Sequence, residues 1–106
     1  MDTFAALADP TRRTILEMLA MKGQLSASDI SNKFHMSPPA ISQHLKILRE
    51  AKLVHVQKKA QQRIYQVNPT AINEVEQWAK QMNKLWNSRF NRLDKVLEEV
   101  KNGKSK

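Results

Sequence analysis

A mainly helical fold with one small β-hairpin is predicted by three observations. In the first half of the chain, short apolar series at three- and four-residue spacing each begin at a helix-capping residue. After Lys52 the spacing changes to the alternation expected of paired strands. From Thr70 the helical period returns and runs to residue 101, leaving 102–106 as a polar tail expected to be disordered. Residues 1–101 form one domain in this reading, with its last part, about 70–101, a single long helix.

The elements follow in order. Phe4-Ala5-Ala6-Leu7-Ala8 reads as a short first helix stopped by Asp9-Pro10. Asp9 then suits an N-cap and Pro10 the first helical position, where a missing N–H is harmless. The second helix places Ile15, Leu16 and Leu19 inward and ends near Lys22-Gly23, and Gln24-Leu25 is a short extended link. Either Ser26 or Ser28 caps a third helix, with Ile30 and Phe34 inward and a stop at His35-Met36-Ser37. Ser37 caps a fourth helix over 38–51, whose inward residues are Ile41, Leu45 and Leu48. Val54 and Val56, then Ile64 and Val67, flank a polar stretch at 57–63 and read as two strands joined by a basic loop.

At 106 residues the chain is small, and a domain of this size buries only about 60–70% of its unfolded surface, which makes association an expected source of stability. No apolar run is long enough to span a bilayer and no basic leader precedes the first apolar stretch, so a cytoplasmic location is expected and no membrane partner. The absence of cysteine excludes disulfides, thiolate metal sites and a cysteine redox switch. The formal charge of +8 is uneven: residues 1–32 carry a net −1, residues 33–69 a net +6 and residues 70–106 a net +3. The basic middle third calls for a polyanionic partner, with a surface kept basic for solubility as the plain alternative.

Two short helices joined by a tight turn and followed by a basic hairpin are the parts of a winged helix-turn-helix. The major groove of double-stranded DNA admits one α-helix, and the helix before it holds it in place. With Ile41, Leu45 and Leu48 inward, the opposite face of helix 38–51 shows Pro39, Ala40, Gln43, His44 and Lys46, with Ser42 at the edge. Gln43 can pair bidentately with adenine, and Lys46 and His44 can reach guanine or phosphate. Ser37 and Ser42 suit phosphate oxygens, as does the helix start. In the hairpin, Lys58, Lys59, Gln61, Gln62 and Arg63 form a second contact element that can lie along the backbone or enter the minor groove. The same lysines also suit a hairpin edge protected against aggregation.

These residues resemble the ArsR/SmtB family of winged helix-turn-helix repressors over residues 3–100. ALADPTRRTIL (6–16) is similar to the family's second-helix signature, SPPAISQHLKILREAKLV (37–54) to its recognition helix and the lead-in to the wing, and RIYQV (63–67) to its second wing strand. The resemblance implies a dimeric operator-binding repressor. It carries Ser37, Ser42, Gln43 and His44 over as DNA contacts, with Arg63 as the wing arginine. It also marks departures. Metal-sensing members carry paired cysteines at the start of the third helix, where this chain has Ser26 and Ser28, and a serine hydroxyl is a poor ligand for soft metals. Others use histidines and aspartates on the last helix, yet residues 70–106 contain no histidine. The chain is therefore read as a cysteine-free member with no metal site and no cofactor. Ala60 stands at the wing tip where the family commonly has glycine.

The last helix carries one stripe of Ile72, Val75, Ala79, Met82, Trp86, Leu93 and Val100, and a second of Trp78, Leu85, Phe90 and Leu97. A domain this small cannot cover both. A homodimer interface is expected from Phe4, Leu7, Trp78, Met82, Leu85, Trp86, Phe90 and Leu93. The competing reading makes Trp78, Met82 and Trp86 the lining of a pocket for an apolar effector, whose identity the sequence does not give. No phosphate-cradling loop, cysteine nucleophile or paired-acid pattern points to an enzyme. The rival to a sequence-specific DNA-binding repressor is a winged-helix protein–protein adaptor, which would expose apolar anchors on the reading face instead of Gln43, His44 and Lys46.

Overall fold

The computed structural model describes residues 2–103; side chains at 90, 91, 93–96, 98, 99 and 101–103 are not among those described. The chain divides into two compact units after Asn73. The first contains α1 (Thr3–Leu7), α2 (Pro10–Lys22), β1 (Leu25–Ser26), α3 (Ala27–Ser31), α4 (Pro38–Glu50), β2 (Val54–Lys59), β3 (Gln62–Val67) and the first turn of α5 (Pro69–Gly103), and the rest of α5 forms the second. The fold is mainly helical with a small antiparallel sheet, as the sequence predicts.

The starts of α1 through α4 are each capped by a side chain, at Asp9, Ser26 and Ser37 as expected and at Asp2 in addition. Asp2 accepts from the Ala5 N–H (2.7 Å), Asp9 from Arg12 (3.0 Å) and Ser37 from Ala40 (3.3 Å). Of the two serines that could open α3, Ser26 does so, in a reciprocal box: its hydroxyl accepts from the Asp29 N–H while the Asp29 carboxylate accepts from the Ser26 N–H. A helix ending near His35 was expected, but α3 stops at Ser31. There the 4-residue ladder gives way to 3-residue turns, Lys33 N–H to Ile30 and Phe34 N–H to Ser31. Phe34 still packs, half-buried, against the core.

The extended link at Leu25 is a strand. Leu25 pairs with Tyr65 and Ser26 with Ile64, so the sheet has three strands in the order β1-β3-β2. The wing strands are also longer than the apolar pattern suggests. Lys58 lies opposite Arg63 and Lys59 opposite Gln62, which leaves only Ala60-Gln61 as the connecting turn. The basic residues expected in a loop are therefore mostly strand residues. Ala60 takes φ 54°, the left-handed conformation that glycine would adopt without strain.

Ile15, Leu19, Ile30, Ile41, Leu48 and Leu53 form the fully buried centre of the core, joined by Leu16, Leu45, Val54 and Tyr65. α4 ends in a Schellman turn, with Leu53 N–H bonded to the Leu48 carbonyl and Lys52 N–H to Arg49, both at 3.0 Å. The left-handed position of that turn is held by exposed Lys52, φ 62°. Replacing Lys52 with glycine is expected to raise stability by about 0.5–1 kcal/mol, the relief of left-handed strain less the glycine's added freedom in the unfolded chain. A urea midpoint that falls instead would show that the lysine side chain stabilises the turn.

α5 begins after Asn68, whose side-chain amide donates to the Lys52 carbonyl (2.7 Å) and whose Oδ1 accepts from Thr70 N–H (3.2 Å). The helix continues through Gly103, two residues beyond its expected end at 101; Lys104–Lys106 lie outside the described residues. Among the described residues, none after Ala71 is buried. Among the described residues, no helix is long and apolar enough to cross a membrane.

Candidate nucleic-acid interface

The inward series of α4 leaves one polar face. Taking Ile41 as the reference, Ser42, Gln43, Lys46 and Arg49 fall on the far side of the helix with Pro39, and all five are exposed. Beside them lies the hairpin. Along β3, Arg63 and Tyr65 point to the same face, since strand side chains alternate. The two elements enclose an open groove of about 460 Å³ lined by Pro39, Ser42, Gln43, Lys46, Arg49, Arg63 and Tyr65. Sequence reasoning missed Arg49. Its signal was available, because it stands three residues after Lys46 and seven after Ser42, on the same stripe.

The register divides the basic wing residues. Lys58 is directly opposite Arg63 and so shares its face, whereas Lys59 and Gln62 occupy the other. Two cations directly opposed across strands destabilise a hairpin by themselves. A polyanion seated against them removes that cost. Gln61 sits in the turn, and a smaller recess of about 250 Å³ joins Gln61, Gln62 and Arg63 to Ser26, Ala27 and Ser28.

Two residues expected on the outward face are elsewhere. His44 is half-buried, with Nδ1 3.2 Å from Arg12 Nη1 and 3.9 Å from Asp9 Oδ2. The helix geometry explains this, since 41, 44, 45 and 48 follow the i, i+3, i+4, i+7 pattern of the inward face. Its polar type, not its position, suggested exposure. Ala40 is half-buried too and does not line the groove. Ser37 is exposed, with its hydroxyl engaged in the cap of α4.

Asp9 is a second polar anchor of the same region. Its carboxyl is held below the usual aspartate range, first by the bond from Arg12 N–H, against partial burial, and then by the charges of His44 and Arg12 and the Thr11 N–H. A group whose pKa is lowered on folding stabilises the fold above its ordinary value, near 3.9, and loses that contribution as pH falls through the lowered one. Asp9→Ala is therefore expected to cost about 1 kcal/mol near neutral pH. Urea titrations should show the wild-type advantage shrinking in acid; a constant difference would contradict a charged cap.

The residues expected to pair two copies are mixed in placement. Phe4, Trp78, Met82, Leu85 and Trp86 are exposed, the last two to 62% and 64%. Leu7 instead packs half-buried on the core of its own chain. The side chains of Phe90 and Leu93 lie outside those described. At the position of the family's paired cysteines, Ser26 is buried and committed to its cap. Among the described residues, no group of three His, Cys, Asp or Glu side chains is placed to hold a metal ion.

Residues 9–56, from the cap of α2 into β2, match the model of bacterial regulatory proteins of the arsR family. The transcriptional repressor SdpR of Bacillus subtilis is 39% identical over 77 residues, 73% of this chain and 84% of that protein. The chain belongs to the arsR family. An arsenical resistance operon repressor of Staphylococcus xylosus is 35% identical over 71 residues, 67% of each chain. Among solved structures, an ArsR-like transcriptional regulator from Rhodococcus sp. RHA1 superposes with a TM-score of 0.75 at 28% identity, covering 88% of this chain and 87% of that one. As an arsR-family protein the chain is a DNA-binding transcription regulator with the winged helix-turn-helix fold, in a family of regulators and not of enzymes.

Proposed function

We propose that the chain is a sequence-specific repressor that binds a palindromic operator as a cytoplasmic homodimer. The observation that carries this reading is the groove in which the polar face of α4 and the wing arginine Arg63 line one wall-to-wall surface with three cations and no acid. Gln43, at the exposed N-terminal half of α4, reads a base edge, and Lys46 reaches guanine or phosphate. Ser37, Pro39 and Ser42 lie along the helix start, where backbone contacts form. Lys58, Lys59, Gln61, Gln62 and Arg63 grip the backbone from the wing. The second copy is called for by α5, on which Trp78, Met82, Leu85, Trp86, Leu97 and Val100 are exposed while no described residue past Ala71 is buried. A two-fold pair presents two reading helices to half-sites about one helical turn apart.

The test is a gel-shift titration at several salt concentrations, with a duplex selected from random sequence and a scrambled control. The selected duplex is expected to bind about a thousandfold more tightly, and affinity for both should fall steeply with salt. Equal affinity for the two would exclude sequence-specific regulation, and no binding to either would favour a protein–protein adaptor.

A further inference from the structure

We propose that Arg12 is a positioning residue for the reading helix α4, acting through His44, and that it holds that helix only while His44 Nδ1 carries no proton. Arg12 is a buried cation on α2, 9% exposed. Its Nε–H donates to the Ala6 carbonyl (2.7 Å) and an Nη2–H to Ala5 (3.4 Å), at the end of α1. An Nη1–H reaches His44 Nδ1 at 3.2 Å, across 32 residues of chain. One guanidinium thus ties α1, α2 and α4 together.

The direction of the last bond is fixed by chemistry. Arginine has five donors, no acceptor, and stays protonated in proteins, so Nδ1 must be the acceptor. A neutral His44 then carries its proton on Nε2. Among the described residues, the charged groups beside the ring are Arg12 on α2 and Asp9 at its N-cap, whose Oδ2 is 3.9 Å from the same nitrogen. α1 presents only its carbonyls to the guanidinium. On α4 itself the cations Lys46 and Arg49 lie on the opposite face, with Lys46 facing Glu50 at 4.0 Å.

Adding a proton to Nδ1 removes the acceptor and sets two cations against each other. The adjacent Asp9 carboxylate becomes the available partner, so the ring turns from Arg12 toward Asp9. Gln43 directly precedes His44 and Lys46 follows it by two residues, and a shift of the ring's anchor moves these residues that read DNA. Acid therefore loosens the grip on the operator, the reverse of what added positive charge alone does to DNA binding.

The affinity arm of the test rests on the DNA-binding reading above; the spectroscopic arm does not. Histidine nitrogen chemical shifts of the labelled full chain should show His44 as the Nε2–H tautomer when neutral. In parallel, operator affinity is measured at about pH 8 and about pH 5.5, spanning the range in which histidine changes charge, for the wild type and for His44→Asn. Asparagine puts a non-titrating oxygen near the place of Nδ1, and His35 and His55 are kept in both proteins as controls. Each protein is compared with itself. The wild type is expected to lose about threefold more affinity on acidification than the variant, the size of one net hydrogen bond. Identical pH profiles, or a neutral His44 protonated on Nδ1, would overturn the proposal. If no duplex is bound by either protein, the DNA-binding reading fails and the nitrogen spectrum alone decides whether Arg12 holds His44.

Discussion

A chain carrying Leu85→Glu and Trp86→Glu is expected to sediment as a monomer and to bind its operator at least about a hundredfold more weakly, the loss of a two-site interaction. Both residues are more than half exposed, and neither belongs to the core, which is drawn from residues between Ala6 and Ala71. Large apolar side chains left in water cost about 25 cal/mol per Å² of buriable surface, and a row of them on one helix is a surface built to be covered. Glutamate on that row places charges where a second copy would have to desolvate them. The half-site affinity of the monomer should be unchanged. Sedimentation as a dimer by the double variant would remove this part of α5 from the interface; a wild-type monomer would remove the interface altogether.

The helices α2 and α4 were legible because each is announced twice, by a cap and by a period. Asp9-Pro10 and Ser37-Pro38 mark starts, and Ile41, Leu45 and Leu48 mark an inward face that the structure buries to 2% exposure or less. β1 was seen only as an extended link because two residues carry no period, and its partner Tyr65 lies 40 residues on. The wing turn was overestimated for a related reason. Lys58, Lys59, Gln62 and Arg63 are polar, and polar residues read as loop, yet a solvated hairpin needs no apolar side chain to keep its ladder. His44 and Arg49 are opposite errors. The polar type of His44 suggests exposure although its position is inward, while Arg49, in the last turn of the helix, stands where its position puts it on the groove. Position on the helix, not residue class, decides what a side chain reaches. What no local pattern reveals is the Arg12–His44 contact, which depends on how α2 and α4 cross.

The two groove arginines offer the sharpest separation of grip from reading. Arg49→Ala and Arg63→Ala are each expected to weaken binding to every duplex by about ten- to a hundredfold, a charge-assisted contact to phosphate being worth about 1.5–3 kcal/mol. Each should also lower the slope of log affinity against log salt by about one. Arg49 reaches the groove from the last turn of α4 and Arg63 from β3, so the two walls are tested independently. Gln43→Ala should behave differently. It carries no charge, so the salt slope stays, while discrimination at one base pair falls by about 1–3 kcal/mol. Gel-shift titrations on a selected duplex, a single-site variant and a scrambled control separate the three outcomes. Loss of discrimination by Arg49→Ala without a change in salt slope would make it a base-reading residue; an unchanged affinity would place the DNA backbone outside the groove between α4 and the wing.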